Sequence, residues 1–408
     1  MSAPAPSGNP AKTIYLDHAA TTPIRDEVLS AMLPYLEGTY GNPSSIHHKG
    51  REAKGALERA RGDVASAVGA RPHEIIFTSG GTEANNLALR GVGMYERHRK
   101  SLIGILKSHM LVSTIEHVSV LETAEALKAD GFEVEYIPVD RDGTVSVADV
   151  LSRARTNTAL ISIMYANNEI GTVEPIAEIA RALKDRFGEN RPLLHTDACQ
   201  AVGQIPTNVT ELGVDLMTIN SGKIYGPKGV GMLYVREGVQ LTPQITGGEQ
   251  EHHLRAGTEN VAGIVGFAKA LSLALVEEHG TKERLTSLRD DFISSIRMEG
   301  LGAVLNGHET NRLPNNIHFS FPYIEGESLV LLLDMHGICA STGSACNAHD
   351  LLPSHVLRAI QQSDDLMHGS IRFSLGMHTT KEELEFTVST LTACASRLRA
   401  LSPLPLNL

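Results

Sequence analysis

Pro192-Leu193-Leu194-His195-Thr196-Asp197-Ala198-Cys199-Gln200 decides the fold. An apolar run stops at a carboxylate, and small residues follow, which is how a buried strand ends at a ligand-bearing loop. Working outward, similar short runs rich in apolar and β-branched residues recur at 74–78, 110–114, 159–164, 215–220 and 231–235. Most are separated by stretches with helical spacing. In 177–187, Ala177, Ile179, Ala180 and Leu183 share one face and charges fill the other. Strands alternating with helices imply a mainly parallel sheet covered on both faces, an α/β architecture.

After about residue 260 the pattern changes. Two successive helices are expected over 261–278 and 284–298, then strand-like pieces at 317–321 and 337–340, then a closing helix. Thr380 and Glu383 form a capping box for that last helix, and Leu384, Val388, Leu391, Cys394 and Leu398 make its apolar stripe. This part reads as a second, smaller α+β domain. No Gly/Ser-rich linker and no internal repeat divides the chain.

The 408 residues are 42% hydrophobic and 20% charged, which excludes disordered and fibrous classes. A net charge of −11 argues against a general binder of nucleic-acid backbones. Residues 1–13 lack the basic start and apolar core of a secretory signal, and no run is long enough to span a membrane. Four cysteines, Cys199, Cys339, Cys346 and Cys394, form no CxxC pair, so neither a disulfide framework nor a stable metal site is expected. A reducing, cytoplasmic setting follows.

Three motifs fall at predicted strand ends. Gly80-Gly81-Thr82-Glu83 follows the run 74–78 and opens a helix, whose free N–H groups favour a phosphate. By itself a Gly-Gly turn specifies only a turn. Asp197 and Lys223, each at the end of a further strand, add a carboxylate and an amine. In a parallel sheet all three gather at one edge. An anion cradle, an acid and a Schiff-base amine are what pyridoxal phosphate requires.

The sequence resembles the group I cysteine desulfurases of the class V aminotransferase superfamily. The likeness runs from Tyr15-Leu16-Asp17-His18-Ala19-Ala20-Thr21-Thr22-Pro23 to Ser370-Ile371-Arg372-Phe373-Ser374-Leu375-Gly376. It includes Gly41-Asn42-Pro43-Ser44-Ser45, Glu116-His117, Asn167-Asn168-Glu169-Ile170-Gly171, Lys223-Ile224-Tyr225-Gly226-Pro227-Lys228-Gly229, Arg255-Ala256-Gly257-Thr258-Glu259-Asn260 and Ser344-Ala345-Cys346. The resemblance implies a type I pyridoxal phosphate-dependent transferase fold. A large domain, 14–262, would carry a mainly parallel seven-stranded sheet. A small α+β domain, 263–408, would be joined by segment 1–13 and would carry a catalytic-cysteine loop at about 341–352.

It also implies site roles. Lys223 would hold the cofactor as a Schiff base, and Gly81 and Thr82 would bind its phosphate. His117 would lie over the ring, Asp197 would pair with the ring nitrogen, and Gln200 with the phenolic oxygen. Asn168 and Arg372 would hold the substrate carboxylate, with Asn42 nearby. Thr258 would reach the partner's cofactor in a homodimer. Cys346 would attack the sulfur of L-cysteine, with His117 as its proton acceptor, and would pass the persulfide to an acceptor for iron–sulfur cluster assembly or thiolation. No metal site is implied beyond Cys346 as a transient iron–sulfur ligand, and no direct nucleic-acid or membrane partner.

One departure stands beside the lysine. The family usually has Ser-Gly-His there, and this chain has Asn220-Ser221-Gly222. Ser221 and Asn220 carry donors that could replace the missing contacts, and Ser221 is expected in the cofactor set. Rival chemistries are a selenocysteine lyase, a cysteine or cystine lyase, and a catalytically silent assembly scaffold.

Overall fold

The computed structural model describes residues 13–101, 108–343 and 353–401, so Cys346 and most of its expected loop lie outside the described residues. The described strands are, in chain order, β1 (Ile14–Tyr15), β2 (Ile75–Thr78), β3 (His109–Ser113), β4 (Glu133–Ile137), β5 (Thr158–Ser162) and β6 (Leu193–Asp197). They continue with β7 (Leu216–Asn220), β8 (Gly231–Val235), β9 (Val304–Leu305), β10 (Asn316–Ser320), β11 (Ile338–Cys339) and β12 (Ser370–Ser374).

The larger unit comprises 21–167 and 172–279. Its seven-stranded sheet runs β2-β8-β7-β6-β5-β3-β4. The pairs from β7 through β6, β5 and β3 to β4 are parallel, and only β8 is antiparallel to its neighbours. Because β8 reverses between them, Thr78 of β2 and Asn220 of β7 both pair with Gly231, from opposite sides. The turns after β2, β6 and β7 therefore leave the sheet at one edge, as expected from the motif positions. A Cβ on Gly231 would lie 2.8 Å from Gly80 Cα, so this close approach requires glycine.

One face of the sheet is covered by the helices Gly81–Ser101 and Val118–Ala129. Their Leu87, Val92, Val120 and Leu127 pack with Met110, Leu160, Leu216 and Leu233 in one buried cluster. Each such side chain contributes about 1.5–3 kcal/mol by leaving water. Strand β4 was absent from the apolar runs read from sequence. Its Glu133 and Glu135 alternate with apolar residues because it is a half-exposed edge strand, where they pair with Arg155 and Arg153.

The smaller unit comprises 13–20, 168–171 and 280–401. It holds the antiparallel sheet β12-β10-β9 and the parallel pair β1-β11. Phe292, Phe319, Phe321 and Phe373 fill its core, together with Leu384, Leu391 and Cys394 from the last helix, Lys381–Leu401. The capping box is formed in both directions: Thr380 N–H donates to Glu383 Oε2 (3.1 Å) and Glu383 N–H to Thr380 Oγ1 (3.3 Å).

Two expectations change. The helices expected at 261–278 and 284–298 are one helix, Val261–Met298. Gly280 costs about 1 kcal/mol against alanine, but it keeps its backbone donor and does not end a helix. The division between units falls within this helix, at 279 and 280, rather than at 262 and 263. Residues 14–20 belong with the smaller unit because β1 pairs with β11. No described helix is long and apolar enough to cross a membrane.

Candidate active site

Strand β6 delivers Asp197, buried, to the edge of the large unit's sheet. Its Oδ1 accepts from Cys199 N–H (2.9 Å) and its Oδ2 from Asn85 Nδ2 (2.7 Å). Among the described residues no ion pair reaches it. A buried carboxylate served only by neutral donors fits a cationic guest such as a protonated pyridine nitrogen.

The anion cradle begins at Gly80, whose φ of +152° favours glycine. A Cβ on Gly81 would lie 2.9 Å from Cys199 Sγ, so the helix beginning there abuts the loop after β6. Glu83 accepts from Ser79 N–H and from Arg255 Nε. Burial opposes its charge, but these bonds prevail and hold its carboxyl below the usual range. Thr82 is exposed at the helix start, where the dipole and free N–H groups favour phosphate.

Lys223 closes a 3-10 turn, Ser221–Lys223, directly after β7. Asn220 Oδ1 caps it by accepting from Gly222 N–H (3.1 Å). Thr22 clamps it from outside, since its N–H and hydroxyl both donate to the Gly222 carbonyl at 3.1 Å. Tyr225, at φ +62°, donates its N–H back to Thr22 Oγ1 (2.8 Å).

Ser221 opens this turn. Its side chain is fully buried, its N–H donates to Val230 O, and a Cβ on Gly226 would lie 2.1 Å from its Oγ. Its hydroxyl has no hydrogen-bond partner among the described residues. Asn220, half-buried beside Gly81, also keeps its amide nitrogen.

His117 follows β3 and caps the helix Val118–Ala129: its Nδ1 accepts from Ser119 N–H (3.1 Å) and lies 2.8 Å from Ser119 Oγ. The preceding Glu116 accepts from Met164 N–H; burial, aided by the charge of Asp197, pushes its carboxyl well up. Gln200 stands half-buried three residues beyond Asp197. Thr258 is exposed on a loop anchored by buried Glu251, which accepts from Phe77 N–H and from both terminal nitrogens of Arg61. Asn42 is exposed and caps its own turn through Ser44 N–H.

Arg372 and Asn168 come together in the smaller unit. Arg372 Nη1 donates to the Asn168 carbonyl (2.8 Å) and Nη2 to Asp17 Oδ1 (2.9 Å). Asn85 and Ser119 escaped the sequence reading; the only signal was that Asn85 lies one turn into the helix opened by the cradle.

The three described cysteines have thiols raised above the ordinary value, each chiefly by burial, and Cys199 further by Asp197. Cys394 packs in the core as expected, whereas Cys199 and Cys339 are only partly enclosed.

The Aminotransferase class-V family matches residues 14–386. "Cysteine desulfurase IscS" of Dictyoglomus turgidum is 52% identical over 96% of this chain and 97% of its own length. Its namesake from Methanosarcina thermophila is 47% identical over 96% and 94%. A solved "NifS-like protein" superposes with a TM-score of 0.87 at 37% identity, over 95% of this chain and all of its own. With a lysine, a carboxylate and a phosphate cradle gathered at one sheet edge, the chain belongs to the cysteine desulfurases of the class V aminotransferase family, which depend on pyridoxal phosphate.

Proposed function

We propose that the protein converts L-cysteine to L-alanine and carries the sulfur as a persulfide on Cys346, for an acceptor protein in iron–sulfur cluster assembly or thiolation. The observation that carries this reading is the buried Asp197 carboxylate, held by neutral donors at the edge from which Lys223 and the Gly81 cradle also emerge. Bound pyridoxal phosphate supplies an electron sink at the carbon bearing the amine.

The chain's residues do the rest. Lys223 attaches the cofactor and, once released by substrate, moves the proton at the substrate's α carbon. Gly81, Thr82 and Asn220 hold the phosphate, Gln200 the phenolic oxygen, and Arg372 with Asn168 the substrate carboxylate. Cys346, as thiolate, attacks the substrate sulfur. The new S–S bond forms as the C–S bond breaks, the electron pair stays on carbon, and protonation there gives alanine. The raised thiols of Cys199, Cys339 and Cys394 make them poor nucleophiles, which supports Cys346 in this role.

A homodimer completes the site through Thr258. It is supported by an uncovered apolar stripe, Leu29, Leu33 and Leu36, along the helix Asp26–Glu37. The test is single-turnover chemistry on purified holoenzyme with L-cysteine. Alanine should appear in equal amount with Cys346 persulfide, and Cys346→Ala should form neither persulfide nor sulfide while keeping the cofactor. Full sulfide release by that variant would overturn the reading in favour of elimination.

A further inference from the structure

We propose that Asn85 and Ser119 are positioning residues that lock His117 as a neutral imidazole with its proton on Nε2. His117 then serves the reaction as a hydrogen-bond donor, not as a base. This rests on the desulfurase reading of the site.

The directions of the bonds leave little freedom. Ser119 N–H can only donate, so His117 Nδ1 must accept it at 3.1 Å. Asn85 Nδ2 is 2.7 Å from Asp197 Oδ2 and 2.9 Å from Ser119 Oγ. Turning the amide over would set its oxygen against a carboxylate, so the nitrogen faces Asp197. Ser119 Oγ thus accepts from Asn85, and its own proton is directed at His117 Nδ1, 2.8 Å away. Two donors occupy Nδ1, and a neutral ring so held carries its proton on Nε2.

Charge points the same way. His117 caps the N-terminus of a twelve-residue helix, where the dipole disfavours an imidazolium. Asp197 is a charge that would favour one, but both its oxygens already accept hydrogen bonds. Asn85 Oδ1, buried without a partner among the described residues, shows the amide being held by its nitrogen alone. To act as a base His117 would have to accept at Nδ1, inside this cage. The proton-acceptor role toward Cys346 expected from sequence is therefore replaced.

The test uses holoenzyme labelled with nitrogen-15 in its histidine rings. A long-range proton–nitrogen correlation at neutral pH, assigned by the signal lost in His117→Gln, should show a bare Nδ1 and a protonated Nε2. Ser119→Ala should move the Nδ1 resonance and lower kcat for alanine formation about three- to tenfold, with KM within about twofold. Ser119→Thr, which keeps the hydroxyl, should restore both, and Asn85→Leu, which also takes a donor from Asp197, should move the same Nδ1 resonance and lower kcat further. A protonated Nδ1, an imidazolium, or Ser119→Ala spectra and kcat identical to the parent would overturn the proposal. Turnover of L-cysteine by the parent enzyme tests the desulfurase reading separately, and Ser119→Ala decides the matter alone should Asn85→Leu fail to fold.

Discussion

Two buried carboxylates stand on neighbouring strands of the larger unit, in opposite surroundings. Asp215, just before β7, accepts from Arg191 (2.6 and 2.9 Å), from Arg236 Nε (2.6 Å) and from Leu194 N–H (2.7 Å). Asp197, at the far end of β6, accepts among the described residues from an amide and a backbone N–H. The first is a closed account of charge within the fold. The second meets no cation among the described residues, which suits a carboxylate that takes its counter-charge from a bound guest.

Exchanging the reserved carboxylate should have the largest effect. Asp197→Asn keeps shape and hydrogen-bonding capacity but loses the charge, so kcat should fall about a hundred- to a thousandfold with weaker cofactor retention and a nearly unchanged urea midpoint. Steady-state kinetics beside urea unfolding would show this, and a collapsed fold with normal turnover per folded molecule would break the contrast. Asp215→Ala should do the reverse. It strands Arg191, and because Arg236 is half exposed the loss should be about 2–3 kcal/mol of stability, with turnover per folded molecule preserved.

Between the two carboxylates sits His195, whose ring nitrogens lie 2.9 Å from Ser162 Oγ and 3.1 Å from Thr218 Oγ1, spanning β5, β6 and β7. Burial pushes it down to about 4, with partial opposition from Asp197. On acidification the unfolded chain takes this proton first, near pH 6.5, so the stability His195 contributes is complete above that value and is lost toward pH 4. Relative to His195→Asn, the parent should lose about 2.5 kcal/mol by pH ~4.5, measured by unfolding at several pH values. The smallest effect belongs to Ser221→Ala. It should shift stability by less than about 0.5 kcal/mol and leave cofactor retention unchanged, which equilibrium dialysis would check.

The strand ends and their chemistry were legible because each is local: a run, then a glycine pair, an aspartate or a lysine. Strand β4 was not, because an edge strand spends its alternation on surface charges. Asn85 and Ser119 could not be found along the chain, since they meet only when the helices after β2 and β3 lie side by side on the sheet. Asn168 and Arg372 were paired only through family likeness, as they are far apart in sequence and join through a backbone carbonyl.

Cys199 lies against the Gly81 turn, and its thiol is raised by burial and by Asp197. An enzyme that passes reactive sulfur needs its bystander thiols to be inert. Here burial, aided by the charge of Asp197, insulates the Cys199 sulfur by holding it in the protonated, unreactive form.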